Sequence, residues 1–124
     1  MTKTNRILVV DDTATNRLLV KSIAIELGIE FYEATNGKEA IDFLDTKNVD
    51  LILMDIEMPV MSGIETIEFI RSKFAYPNNE TPIVVLTAHD KEEFAEMYQN
   101  LRYDGIVSKP YTIEKLKSVI VKTI

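Results

Sequence analysis

Five residues have side-chain types that could do chemistry together: Asp11, Asp12, Asp55, Thr87 and Lys109. Each stands at or just beyond the end of a short apolar run. Ile7–Val10 precedes the aspartate pair, Leu51–Met54 precedes Asp55, Ile83–Leu86 precedes Thr87 and Gly105–Ser108 precedes Lys109. Three carboxylates brought together repel one another unless they share a cation. The chain has no cysteine and its single histidine is His89, so the available ligand set is hard oxygen. That set suits Mg²⁺, which takes a few carboxylates, keeps several waters and then accepts a phosphate oxygen. A carboxylate is also a nucleophile toward phosphorus, and the product is an aspartyl phosphate. Such transfer needs in-line positioning and neutralised equatorial oxygens rather than covalent machinery. Mg²⁺ would serve one oxygen, the Lys109 ammonium a second and the Thr87 hydroxyl a third.

Taken one at a time, these residues have plainer readings. Asp11 and Asp12 could cap a helix, and Asp55 could serve turn chemistry at a strand end. Thr87 is an ordinary strand residue, and a lysine such as Lys109 is usually solvated. His89, alone and without clear partners, reads as an exposed loop residue rather than a ligand. Their joint placement favours the chemical reading, because independent surface residues need not gather on one rim.

The elements that would carry them follow from the hydrophobic pattern. The apolar runs, with Phe31–Ala34 as the second in order, read as five strands. Those at Ile7, Leu51 and Ile83 are apolar throughout, as in parallel strands covered on both faces. Between them, Val20, Ile23, Ala24 and Leu27 recur with helical spacing, as do Phe94, Met97, Tyr98 and Leu101. Shorter sets are Ala40, Ile41 and Leu44; Ile67, Ile70 and Phe74; and Ile113, Leu116 and Ile120. Asn36, Ser62 and Asp90 each stand three residues before a glutamate, the mark of a helix start. Gly28 suits a helix end, and Ala75–Pro82 reads as the one long loop. Five β/α units are too few for an eight-stranded barrel. Right-handed crossovers then favour a flavodoxin-like, doubly wound α/β fold. The expected sheet has five parallel strands in the order 2-1-3-4-5, with helices on both faces and the site where strands 1 and 3 become neighbours.

Composition narrows the alternatives. The chain has 124 residues, 46% apolar and 27% charged, which fits one domain over residues 1–124 with a core of its own. Without cysteine, disulfides and thiolate chemistry are excluded. A net charge of −6 argues against nonspecific nucleic-acid binding. No apolar run approaches a membrane span, and the opening residues lack a signal-peptide core, so a cytoplasmic location is expected.

The chain resembles, over essentially its whole length, the receiver domain of two-component response regulators. The matching segments are ILVVDD (7–12), LILMDIEMPVMSG (51–63), IVVLTAHD (83–90) and VSKPY (107–111). DDTATNR (11–17) and MDIEMPVMSG look most similar to receivers attached to hybrid histidine kinases. The resemblance implies that Asp55 is the phosphoacceptor and that Mg²⁺ is held by Asp11, Asp12, Asp55 and the backbone carbonyl of Glu57. It implies that Thr87 and Lys109 contact the phosphoryl group and that the Lys109–Pro110 bond is cis. The donor would be a phosphohistidine on a histidine kinase or phosphotransfer domain. The chain would be a phosphoacceptor assisting its own phosphorylation and dephosphorylation rather than an enzyme, with Glu57 and His89 tuning the lifetime of the signal. A downstream protein or attached output domain would read the change, through the face formed by the fourth helix, fifth strand and fifth helix. Membrane insertion is not expected.

One departure stands out. The family usually has Tyr or Phe three residues before the lysine, and here that residue is Ile106. It has no ring to swing inward, which puts the aromatic half of the switch in question. Leu101-Arg-Tyr103 also replaces the small residues usual before the fifth strand. Two other functions stay in play: a constitutive interaction module that never turns over phosphate, and a flavin-binding carrier of the same topology using Thr13–Asn16. The aspartates facing an anionic phosphate argue against the second. Whether the chain stands alone or belongs to a longer protein, and whether it forms a homodimer, the sequence leaves open.

Overall fold

The computed structural model describes residues 4–124. Five strands alternate with five helices: β1 (Arg6–Val10), α1 (Ala14–Leu27), β2 (Glu30–Ala34), α2 (Gly37–Leu44), β3 (Leu51–Asp55), α3 (Gly63–Lys73), β4 (Ile83–Thr87), α4 (Lys91–Met97), β5 (Gly105–Ser108) and α5 (Ile113–Thr123). All strand pairs are parallel, in the order β2-β1-β3-β4-β5, the doubly wound arrangement expected from the sequence. The long loop between α3 and β4 contains one turn of 3₁₀ helix, Asn78–Glu80.

Side-chain alternation along the strands builds two core layers. Ile7, Val9, Leu51, Leu53, Val84 and Leu86 face α1 and α5, meeting Val20, Ile23, Leu116 and Ile120. Leu8, Val10, Ile52, Met54, Ile83 and Val85 face the other way, onto Ala40, Leu44, Ile67, Ile70 and Phe94. Every residue of β3 and β4 is buried, and these strands occupy the middle of the sheet.

The three cap signals form as expected. Backbone N–H groups of Glu39, Glu65 and Glu93 donate to the side chains of Asn36, Ser62 and Asp90, at 2.9, 3.2 and 2.8 Å. Gly28 closes α1 in the left-handed conformation at φ 69°. Helix α4 is shorter than its periodicity suggests. It ends at Met97, and Leu101, the last residue of that helical set, lies beyond it. Tertiary contacts win over local pattern here. Arg71 Nε donates to the carbonyl of Arg102 at 2.9 Å and Arg102 Nη1 to Glu80 at 2.9 Å, holding the returning chain outside a helix. Phe74, the last of another helical set, likewise falls just past α3 in extended conformation. The peptide bonds preceding Pro77 and Pro110 are both cis, the second as the resemblance implies.

In the loop after β3, Val60 holds φ at 70° with its side chain 78% exposed. A β-branched residue is strained in that region, and this one gains little packing in return. Val60→Asn is therefore expected to raise stability by about 1 kcal/mol, read as a higher urea midpoint with unchanged slope. A lower midpoint would show that the side chain does more than the backbone tolerates.

Candidate functional site

The carboxyl ends of β1, β3, β4 and β5 meet at one rim of the sheet. Asp55 is the last residue of β3 and pairs with Leu86 of β4, while Val10 of β1 pairs with Met54. Asp11 thus emerges beside Asp55, with its backbone N–H still bonded to the carbonyl of Ala34 at 3.1 Å. One carboxylate oxygen from each of Asp11, Asp12 and Asp55 lies within 4.8 Å of the other two. Opposite oxygens around Mg²⁺, at bonds of about 2.1 Å, sit about 4.2 Å apart. The three carboxylates therefore fit an octahedral ion after small adjustments, with room for water on the exposed Asp12 side. Glu57, whose carbonyl is the other expected ligand, is exposed two residues beyond Asp55.

Neither aspartate of the Asp11–Asp12 pair caps α1. The N-cap is Thr13, whose side chain makes no capping bond. Asp11 instead is held in place: its Oδ1 accepts from Thr13 N–H at 2.8 Å and its Oδ2 from Asn16 Nδ2 at 3.1 Å. Arg17 Nη1 donates to the Asp11 carbonyl at 2.8 Å, while its Nε pairs with Glu33 at 2.7 Å. Asn16, which the sequence offers only within the Thr13–Asn16 loop of the flavin alternative, and Arg17 thus join the site. Their signal was position alone, since first-turn side chains of a helix lean back toward its N-terminus.

Lys109 follows β5, and its N–H extends the ladder to the Thr87 carbonyl at 2.6 Å. Its Nζ donates to Asp55 Oδ1 at 2.9 Å. Among the described residues nothing donates to Asp55 Oδ2, so that oxygen's lone pairs stay available. Thr87 ends β4 with its hydroxyl oxygen accepting from His89 N–H at 3.2 Å, which leaves the hydroxyl proton free to be donated. Ser108 Oγ donates to the His89 carbonyl at 2.8 Å, tying β5 to the same loop. The His89 ring is paired with Glu93 and is not one of the clustered acidic ligands. Ile106 is half-buried and packs against the α2–α4 core layer.

Burial raises the Asp55 carboxyl above the ordinary carboxylate range. The Lys109 hydrogen bond opposes that rise, Asp11 adds to it, the Lys109 charge opposes it and Asp12 adds again. A carboxyl raised on folding stabilises below its unfolded pKa, and that contribution is lost as pH rises through the folded pKa. Ionised Asp55 therefore destabilises the cation-free protein at neutral pH. Asp55→Asn is expected to stabilise it at pH 7, read as a higher melting temperature. The gain should shrink as pH falls toward 4, and a gain independent of pH would contradict this origin.

A family profile described as "Response regulator receiver domain" matches residues 7–121. The autoinducer 1 sensor kinase/phosphatase LuxN of Vibrio harveyi is 36% identical over 114 residues, 92% of this chain and 13% of LuxN. Hybrid signal transduction histidine kinase I of Dictyostelium discoideum is 37% identical over 124 residues, 93% of this chain and 7% of the kinase. The chain thus spans only a small part of these relatives. Among solved structures, the response regulator TrrA of Thermotoga maritima, in complex with Mg²⁺-BeF, superposes with a TM-score of 0.81 at 35% identity. That match covers 98% of this chain and 100% of TrrA. In fold, strand order and sequence alike, the chain belongs to the response regulator receiver domain family.

Proposed function

We propose that residues 1–124 act as one receiver domain that takes a phosphoryl group from a phosphohistidine onto Asp55, with Mg²⁺, and changes its partner-binding surface as a result. The observation that carries the proposal is the triad of carboxylates within 4.8 Å of one another, with Lys109 bonded to one oxygen of Asp55 and the other oxygen unengaged. Asp55 Oδ2 would attack phosphorus in line. The new bond is O–P; the bond that breaks is P–N, whose electron pair stays on the donor's imidazole. Asp11, Asp12, Asp55 and the Glu57 carbonyl would hold Mg²⁺, as the Mg²⁺-BeF complex of TrrA supports. The cation supplies charge neutralisation on the transferring group. Lys109 leaves Asp55 Oδ1 for a phosphoryl oxygen, and Thr87 donates its free hydroxyl proton to another. Glu57 and His89, at the positions where the family varies its autodephosphorylation rate, would set how long the phosphoryl group survives.

With Ile106 in the usual aromatic position, the switch runs through hydrogen bonds. Drawing Thr87 toward the phosphoryl group surrenders the bond from His89 N–H. The loop carrying His89 is tied to Ser108 of β5. The displacement would reach a groove between α4, β5 and α5 lined by Lys91, Ala95, Tyr103, Ile106, Val119 and Lys122. A downstream protein or attached output domain would dock there. A histidine kinase or phosphotransfer domain would approach over the acidic rim, where Leu18 of α1 and Ile113 of α5 are 64% and 53% exposed. Among the described residues no helix is long and apolar enough to cross a membrane, and we place the domain in the cytoplasm.

A phosphate-independent interaction module is the second reading, and Ile106 is what favours it. Hydrogen exchange with Mg²⁺ and beryllofluoride separates the two. The switch reading expects altered protection in residues 87–91 and along β5 and α5. An unchanged pattern there, with the analogue bound, would favour the static module.

A further inference from the structure

β2 lends no side chain to the carboxylate triad, yet both polar groups of the Asp11 main chain lead to it. The Asp11 N–H donates to the Ala34 carbonyl at 3.1 Å. The Asp11 carbonyl accepts from Arg17 Nη1 at 2.8 Å, and Arg17 Nε donates to Glu33 Oε1 at 2.7 Å. That carbonyl belongs to the planar peptide unit joining Asp11 to Asp12, so its orientation constrains where both carboxylates point. Among the described residues Arg17 is its one donor. A lone exposed ion pair would contribute little. Here the Arg17 side chain is 16% exposed, Asp11 is fully buried, and one rigid guanidinium holds the carbonyl and the Glu33 carboxylate at once.

Building on the receiver reading, we infer that Arg17 and Glu33 are positioning residues of the cation pocket. Glu33, on the edge strand β2, fixes the Arg17 guanidinium, which in turn fixes the peptide between the two neighbouring ligands. Thr13 N–H and Asn16 Nδ2 already orient the Asp11 carboxylate itself. The Arg17 bond adds what they do not, the direction in which the chain leaves toward Asp12. Groups standing behind the ligands of a metal commonly matter nearly as much for its affinity as the ligands do.

Arg17→Lys keeps the charge but replaces the fork with one ammonium, which cannot hold the carbonyl and Glu33 in the same geometry. Mg²⁺ affinity measured by calorimetry, at about 0.15 M salt to screen distant charges, is expected to fall about five- to tenfold. Glu33→Ala is expected to cost about threefold in the parent and nothing further in the Arg17→Lys background, because it acts through Arg17. Equal Mg²⁺ affinity in the parent and Arg17→Lys would overturn the inference while leaving the receiver reading intact, even if the variant melts lower without cation. A Glu33→Ala loss of the same size in both backgrounds would overturn it too, since the carboxylate would then act on the cation directly through its charge. If the parent itself bound no Mg²⁺, the pocket reading would fall and this inference with it.

Discussion

Gly63→Ala is expected to lower the unfolding free energy by about 3–5 kcal/mol, as overpacking against backbone does when nothing nearby can yield. A Cβ at Gly63 would stand 2.2 Å from the Asp55 carbonyl oxygen and 2.7 Å from Ile56 Cα. Those are backbone atoms of a strand end buried in the middle of the sheet, not the tip of a flexible side chain. Gly63 N–H also bonds the Ile56 carbonyl at 2.8 Å, so α3 starts by leaning on the residue after the phosphoacceptor. Displacing that contact moves Asp55, so Mg²⁺ affinity should fall together with stability. Gly28→Ala is the internal control. Gly28 has open space around a new Cβ but φ at +69°, so it should lose only about 1 kcal/mol. Urea denaturation of the two variants measures the contrast. A loss at Gly63 no larger than at Gly28 would mean that the junction between β3 and α3 is softer than its geometry implies.

Lys109→Met should slow phosphoryl uptake by about 10²–10³-fold, the usual effect of deleting one preorganised donor aimed at developing charge. Methionine keeps most of the length and the apolar stem while removing the ammonium that now sits 2.9 Å from Asp55 Oδ1. Lys109→Arg is not expected to rescue the rate. A planar fork cannot occupy the place of a compact ammonium on a stem that is only 31% exposed. In the cation-free protein the same methionine variant leaves the 4% exposed Asp55 side chain without its counter-charge, which should lower stability at pH 7 and recover it in acid. Initial rates of adduct formation with a small-molecule phosphodonor give the first effect, and melting against pH gives the second. A rate within threefold of the parent would remove Lys109 from the transfer step.

Much of this arrangement is legible in the sequence because the fold requires it to be. β3 and β4 are buried on both faces, so their residues are apolar throughout, and a polar residue at either carboxyl end stands out. That is how Asp55 declares itself, whereas Thr87 and Lys109, unremarkable one at a time, gain meaning only from standing at the same rim. The order of strands then brings them to the aspartate pair after β1. What stayed hidden depends on side-chain reach rather than on type or spacing. Nothing in type or spacing assigns Asn16 and Arg17 to Asp11; their bonds to it do. Helix α4 overran its end on paper because the apolar period continues to Leu101. Arg71 and Glu80, distant in sequence, decide where that chain goes. The burial of the Tyr111 hydroxyl, without a partner among the described residues, is likewise invisible in the sequence.

The most direct test is to incubate the protein with Mg²⁺ and a small-molecule phosphodonor and follow its intact mass, with Asp55→Asn alongside. A single, labile, Mg²⁺-dependent phosphoryl adduct on the parent, absent from the folded variant, is the expected result. An equal adduct on the variant, or none on a parent that is folded and supplied with Mg²⁺, would contradict the assignment of Asp55 as phosphoacceptor.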